Sequence, residues 1–177
     1  LFPCVLTESA ISPSRNEAEA FMPIEHLKHN DVTVLITVPS TIARIRQSRR
    51  LSKGDIDLNI LISCGEPLHL DVLRYALDEI QPHNIFNFYG STEVSPWIFF
   101  HECTRSDLEH YSSIGYVPIG TPMQDNDILL MEDTDELWVS GPKITPGYLN
   151  DESSEQFVER GGKRWFRMGD IVVRDDD

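Results

Sequence analysis

Three short apolar runs, each ended by a glycine or a proline and separated by stretches of helical spacing, set what the first half of this chain can become. Asp31-Val-Thr-Val-Leu-Ile-Thr-Val38 is β-branched and stops at Pro39 and Ser40, which predicts a buried strand. Ser40 or Thr41 then caps a helix through Ile42 and Ile45 toward Leu51. Leu58–Ser63 is a second buried strand, closed by Cys64 and Gly65. Pro67 suits the first turn of a helix that carries Leu70, Leu73, Ala76 and Ile80. Asn84–Tyr89 is a third strand, closed by Gly90, with Trp97–Phe100 a buried strand after it. Strand, helix, strand, helix, strand at this spacing argues an α/β fold: a partial parallel sheet with flanking helices. Apolar residues make up 40% of 177, enough for a packed core.

The punctuation changes after about residue 110. Gly115, Pro118, Gly120, Pro122, Gly141, Pro142, Pro146 and Gly147 break the chain into short segments. Ile128–Met131 and Glu136–Ser140 read as a hairpin around Asp133-Thr134-Asp135, and Arg164–Arg167 with Ile171–Val173 as two further strands. That predicts a small antiparallel, barrel-like β unit. The expected division is residues 1–114 and 115–177.

Charge excludes several function classes. Lys and Arg number 15 against 29 Asp and Glu, a formal charge of −14. This argues against a nucleic-acid binder or a basic membrane-surface protein. Residues 1–90 hold 8 basic and 11 acidic side chains, residues 91–177 hold 7 and 18. Much of the excess (Glu132, Asp133, Asp135, Glu136 and the Asp175–Asp177 tail) reads as solvated surface. No apolar run approaches the roughly 18 residues of a membrane span. Cys4, Cys64 and Cys103 have neither a disulfide-scaffold nor a zinc spacing, so reduced, cytoplasmic thiols are expected. The chain opens on Leu1 and reads as processed or cut from something larger.

Three segments carry candidate chemistry. Asn87-Phe-Tyr-Gly-Ser-Thr-Glu93 ends a strand in a glycine, two hydroxyls and a carboxylate. Ligands of open parallel sheets bind beyond such strand ends. Gly90 permits close backbone approach, Ser91 or Thr92 can donate to a phosphate oxygen, and Glu93 can hold Mg²⁺. Tyr89 offers a flat face to a purine. The same residues also make an ordinary turn into a helix, with a hydroxyl cap and a favourable first-turn Glu. Ser63-Cys-Gly-Glu-Pro67 closes the neighbouring strand, either as a second wall of the same crevice or as a plain turn. In Trp165-Phe-Arg-Met-Gly-Asp170, Asp170 follows a glycine turn, where a carboxylate can accept from a ribose diol or simply end a hairpin. Glu136–Leu149 reads as structural, with no chemistry assigned.

In order and spacing these segments resemble the adenylate-forming enzymes: acyl- and aryl-CoA synthetases, luciferases and the adenylation domains of peptide synthetases. FNFYGSTE is similar to the family's N-x-Y-G-x-T-E segment, DELWVSGPKITPGYLN to its G-E-L-x-x-x-G-x-x-x-x-G-Y-L segment and RWFRMGD to its Y-x-T-G-D segment. PIGTP and SCGEP match two further stretches. Within the family, SCGE and ITPGYLN look most like the D-alanine ligases that load a carrier protein, and YGSTEVS echoes the β-alanine-activating type.

The resemblance implies ATP, AMP and Mg²⁺ as ligands and a two-step reaction. A carboxylic or amino acid attacks the α-phosphate of ATP, giving an acyl-adenylate and pyrophosphate. A thiol of carrier-protein phosphopantetheine or of CoA then takes the acyl group. Thr92 would contact the α-phosphate and Glu93 would bind Mg²⁺. Asn87, Phe88, Tyr89, Gly90 and Ser91 would form the nucleotide-binding segment, with Tyr89 stacked on adenine. Gly65, Glu66 and Pro67 would line the adenine and acyl pockets, and Asp170 would hold the ribose hydroxyls. Cys64, Val94, Ser95 and Trp97 would border the substrate pocket.

Several family features are missing. The phosphate loop with its lysine and the carboxy-terminal domain with its catalytic lysine do not occur in this sequence. Asp135 stands where the family has Gly, Met168 where it has Thr, and Arg174 comes later than the usual Arg. The expectation is the back half of the large domain, inactive in isolation, with a non-enzymatic remnant or interaction module as the alternative. The basic group Arg44, Arg46, Arg49, Arg50 and Lys53 reads as a solvated helix face, and His26 with His29 as a pair lacking a third metal ligand.

Overall fold

The computed structural model describes residues 9–149 and 154–175. Cys4 and the last two residues of the acidic tail lie outside them. The chain divides into two compact units, Leu1–Phe86 with Glu102–Val117, and Asn87–His101 with Pro118–Asp177.

In the first unit, helices α1 (Glu17–Phe21) and α2 (Ile24–His29) precede strand β1 (Val34–Thr37), helix α3 (Pro39–Ser48) and strand β2 (Ile60–Cys64). Helix α4 (Leu70–Tyr75) runs on into one π turn, Ala76–Ile80, before strand β3 (Asn84–Ser91). Helix α5 (Asp107–His110) belongs to this unit too, while the end of β3 and most of strand β4 (Ser95–Cys103) fall in the second unit. β1 and β2 are parallel, with Val34 opposite Ile60 and Thr37 opposite Ser63. The core gathers Ile42 and Ile45 of α3, Leu61 of β2 and Leu73 of α4. Each is essentially withdrawn from water, and each such side chain contributes about 1.5–3 kcal/mol through burial.

Three local readings change here. The first strand is not buried on both faces: Val34 and Ile36 are 45% and 51% exposed, whereas Leu35 between them packs on the core. β1 is the first strand of its sheet, ordered β1-β2-β3-β4-β5, and an edge strand alternates. The first long helix is not capped by its own Ser or Thr. Pro39 opens it, Val38 is the cap residue, and no side chain of that residue bonds the helix end. Pro67 does not start the next helix. Leu70 N–H donates to Gly115 O at 3.1 Å and Val117 N–H to Leu68 O at 2.8 Å, so residues 68–70 run extended beside 115–117 and the helix waits until Leu70.

In the second unit, β5 (Thr121–Pro122) pairs antiparallel with β4. β6 (Asp127–Leu130), β7 (Glu136–Ser140), β8 (Phe157–Arg160) and β9 (Lys163–Ile171) form a separate antiparallel sheet ordered β6-β7-β9-β8. The predicted hairpin is present: Asp127 faces Ser140 and Leu130 faces Leu137. Asp135 ends its turn in the left-handed region at φ 54°, the position where the resemblance has Gly. Val94, Ile98, Phe99, Leu137, Val139 and Phe166 make the core. The expected barrel does not close, since the described sheet keeps β6 and β8 as edges.

The two expected C-terminal strands are one strand with a bulge. Glu136 pairs with Ile171 but Trp138 with Arg167, so Met168, Gly169 and Asp170 oppose Leu137 alone. Gly169 sits at φ 75°, a conformation that suits a residue without Cβ. Glu136 anchors this irregularity. Its carboxylate accepts from Trp138 Nε1 at 2.9 Å and from Arg167 Nη2 at 3.2 Å. Those contacts, the Trp138 indole foremost, hold the Glu136 carboxyl below the usual carboxylate range.

Two outcomes follow for stability. The folded state lowers the pKa of Glu136, so its contribution is complete above the ordinary carboxylate value of about 4.3 and fades as pH falls below it. Glu136→Gln is expected to lower stability at pH 7 by about 1 kcal/mol or less, with the two melting temperatures converging as pH falls through the carboxylate range; a constant gap at every pH would exclude the ionic account. A Cβ on Gly90 would lie 2.2 Å from Ser95 O and 2.7 Å from Pro96 C, both backbone atoms. Gly90→Ala is therefore expected to cost roughly 2–4 kcal/mol in urea unfolding, and an unchanged midpoint would refute that contact.

Candidate functional site

The candidate residues fall into one set in each unit. In the first unit, Cys64 ends β2 and Gly65, Glu66 and Pro67 follow it. The Glu66 carboxylate reaches the start of α3: Ser40 N–H donates to Oε2 at 2.9 Å and Ser40 Oγ donates to Oε1 at 3.0 Å. A helix start leaves its first N–H groups unpaired and carries a partial positive charge, and Glu66 answers both needs from 26 residues away. An open pocket of about 330 Å³ beside this contact is lined by residues including Pro39, Ser40, Ala43, Glu66, Pro67 and His69. The Cys64 thiol lies 3.9 Å from Thr37 O.

In the second unit, β3 ends at Ser91 and β4 begins at Ser95, joined by the short turn Thr92-Glu93-Val94. A strand follows this turn where a helix start was the alternative reading. The close approach that Gly90 permits is made by β4 itself. Asn87 is buried and its side-chain amide donates to Pro118 O at 2.9 Å. Phe88 lies against Trp97 at 5.2 Å between ring centres, and Tyr89 meets Phe99 edge-on at 5.9 Å. Val94 is fully buried in the core, whereas Thr92 is exposed on the turn. Ser95 takes φ 112°, a strained value for a residue with a side chain.

Two long-range contacts organise this end of the second unit. The Tyr89 phenol donates to Asp170 Oδ2, so the bulge of β9 meets the end of β3 across 81 residues of sequence. Burial first, and then the Asp170 carboxylate, push the Tyr89 phenol up, so it stays a donor. Glu93 is held at both ends: its carbonyl accepts from Thr145 N–H at 2.7 Å and its carboxylate accepts from the Tyr148 phenol at 2.8 Å. The Ser91 hydroxyl and the Tyr148 phenol hold its carboxyl below the usual range, so it is an anion at neutral pH.

Tyr148 lies in the segment to which sequence reasoning assigned no chemistry. The signal was an aromatic residue after a Pro-Gly break, which marks a side chain left outside any strand. Among the described residues, three or more His, Cys, Asp or Glu do not cluster as a metal centre. Within the basic group, Arg46 pairs with Asp71 at 2.7 Å and Arg50 with Glu25 at 3.3 Å. No helix among the described residues is long and apolar enough to cross a membrane. Glu66→Ala is expected to cost about 1 kcal/mol of unfolding free energy, with Ser40→Ala costing less because its backbone bond survives. Equal stability of Glu66→Ala and the parent would remove Glu66 as the cap.

Residues 2–149 match the AMP-binding enzyme family. The chain is 32% identical over 138 residues to the non-canonical nonribosomal peptide synthetase FrzA of Cladobotryum sp, covering 69% of this chain and 13% of that protein. It is 25% identical over 164 residues to the D-alanine–D-alanyl carrier protein ligase of Bacillus licheniformis, covering 86% of this chain and 32% of the ligase. Its structure is similar to that of the Vibrio cholerae adenylation domain AlmE in complex with glycyl-adenosine-5′-phosphate, with a TM-score of 0.76 and 26% identity over 91% of this chain and 33% of that one. The chain thus spans no more than about a third of the length of these proteins. The family match covers most of the chain: this chain belongs to the adenylate-forming, AMP-binding enzyme family.

Proposed function

We propose that this chain is the part of an ATP-dependent carboxylate-activating ligase that receives the nucleotide. Its product would be an acyl- or aminoacyl-adenylate, passed to a phosphopantetheine or CoA thiol. The Tyr89–Asp170 contact carries this reading, because it unites a purine-sized aromatic face with a carboxylate suited to a ribose diol. Thr92 is the α-phosphate donor of the proposal, and Asn87, Phe88, Gly90 and Ser91 shape the segment behind it. Gly65, Glu66 and Pro67 are proposed for the adenine and acyl pockets, and Cys64, Val94, Ser95 and Trp97 for the substrate side.

Glu93 fits a divalent cation by its chemistry: a partly exposed carboxylate, kept ionised by its hydroxyl partners, is the hard oxygen ligand that Mg²⁺ takes. Bound there, Mg²⁺ would offset the charge that develops on the phosphates. Thr92 and the backbone of the turn would orient the α-phosphate, and Asp170 would fix the nucleoside. A protein nucleophile is not required, since the acid itself attacks. The carrier-protein ligase among the relatives supports an amino acid as substrate and a carrier protein as acceptor.

ATP–pyrophosphate exchange on the complete gene product tests this, with D-alanine, L-alanine, β-alanine, larger amino acids and short fatty acids as acids. Exchange that depends on one of them is expected. Glu93→Gln and Asp170→Ala should each reduce it by about 10²-fold or more. Exchange with none of the acids, or full rates in both variants, would overturn the reading and leave the motifs as architecture without chemistry.

A further inference from the structure

We propose that Tyr148 is a positioning residue for Glu93, and that Arg164 locks the loop that presents it. This rests on the reading of Glu93 as the cation ligand. Glu93 sits in the three-residue turn that joins β3 to β4. Its long-range restraint comes from Thr145 and Tyr148. Thr145 N–H grips the Glu93 carbonyl at 2.7 Å, and the Tyr148 phenol grips Oε1 at 2.8 Å. The phenol oxygen also lies 2.7 Å from Gln156 Oε1, so its single proton is shared between two acceptors.

The loop is tied down from β9. Arg164 donates to Thr145 O at 3.1 Å and to Pro146 O at 2.6 Å. Its guanidinium carbon lies 4.6 Å over the Phe157 ring, and Phe157 meets the Tyr148 ring edge-on at 5.6 Å. A planar cation that bonds two successive carbonyls and stacks on an aromatic holds its loop more rigidly than a lysine can. The route therefore runs from Arg164 through the loop to Tyr148 and on to one carboxylate oxygen of Glu93. Fixing that oxygen sets the direction of the other. The entropy of ordering the ligand is then spent in folding and not at the moment of cation binding.

The test uses Tyr148→Phe, which keeps the ring against Phe157 and removes only the hydroxyl, and Arg164→Lys, which keeps the charge and removes the fork. The first readout is three-bond NMR couplings across χ1 of Glu93 in this chain. One rotamer is expected in the parent and averaged couplings in Tyr148→Phe. The second readout is the Mg²⁺ concentration that half-saturates pyrophosphate exchange in the complete gene product, with D-alanine and ATP at saturation or whichever acid of the panel supports exchange. It should rise about 10-fold in Tyr148→Phe, the lower end of what losing an outer partner of a metal ligand costs, while the acid's KM stays put. Arg164→Lys should move both readouts in the same direction by less. A single Glu93 rotamer together with parental Mg²⁺ dependence in Tyr148→Phe overturns the proposal. Loss of exchange in Glu93→Gln alongside that result would leave the ligase reading standing. An averaged Glu93 rotamer in Tyr148→Phe, with Glu93→Gln fully active, would instead remove Glu93 as the cation ligand and so the functional half of the proposal.

Discussion

The second unit depends on how closely β3 and β4 approach at their shared turn. With the Ser95 carbonyl 2.2 Å from where a Cβ would stand, only glycine at position 90 lets β4 begin there. The three turn residues are thereby sorted. Thr92 faces solvent, Val94 is driven fully into the core and Glu93 lies between. The strain at Ser95 is the local cost of this tight return. A wider loop would release the strain, but it would also free the carboxylate that the turn presents.

A second irregularity meets the first. The β9 bulge puts three residues opposite one, and its extra length carries Asp170 to the Tyr89 phenol. Glu136 steadies that bulge through Trp138 and Arg167. Regular β pairing would have kept Asp170 in the ladder. In both places the regular sheet supplies rigidity, while the departure from regularity aims a polar side chain. The first unit shows another version of the same economy, in which Glu66 leaves the end of β2 to complete the N-terminus of α3.

Local pattern explains what could be read in advance. The β6–β7 hairpin, the parallel pair β1 and β2, and the strand ending near Gly90 all follow from apolar spacing and glycine or proline punctuation. Two of the misreadings come from a partner far along the chain. Pro67 looked like a helix start until the extended pairing of residues 68–70 with 115–117 took that backbone. Arg164–Arg167 and Ile171–Val173 looked like two strands because Gly169 reads as a turn, yet pairing with β7 carries the strand through it. Tyr148 was assigned no chemistry because its contact with Glu93 spans 55 residues of sequence.

The amino-acid sequence alone determined the class of fold and the family, and it named the residues proposed for nucleotide chemistry, since these depend on spacing within segments of some ten residues. The tertiary structure alone decided which of them are joined: Tyr89 with Asp170, and Glu93 with Tyr148 under the hold of Arg164. Periodicity records which face of a segment meets the core. It carries no record of which distant hydroxyl will meet which carboxylate, because that choice is made by the packing of strands separated by up to 81 residues.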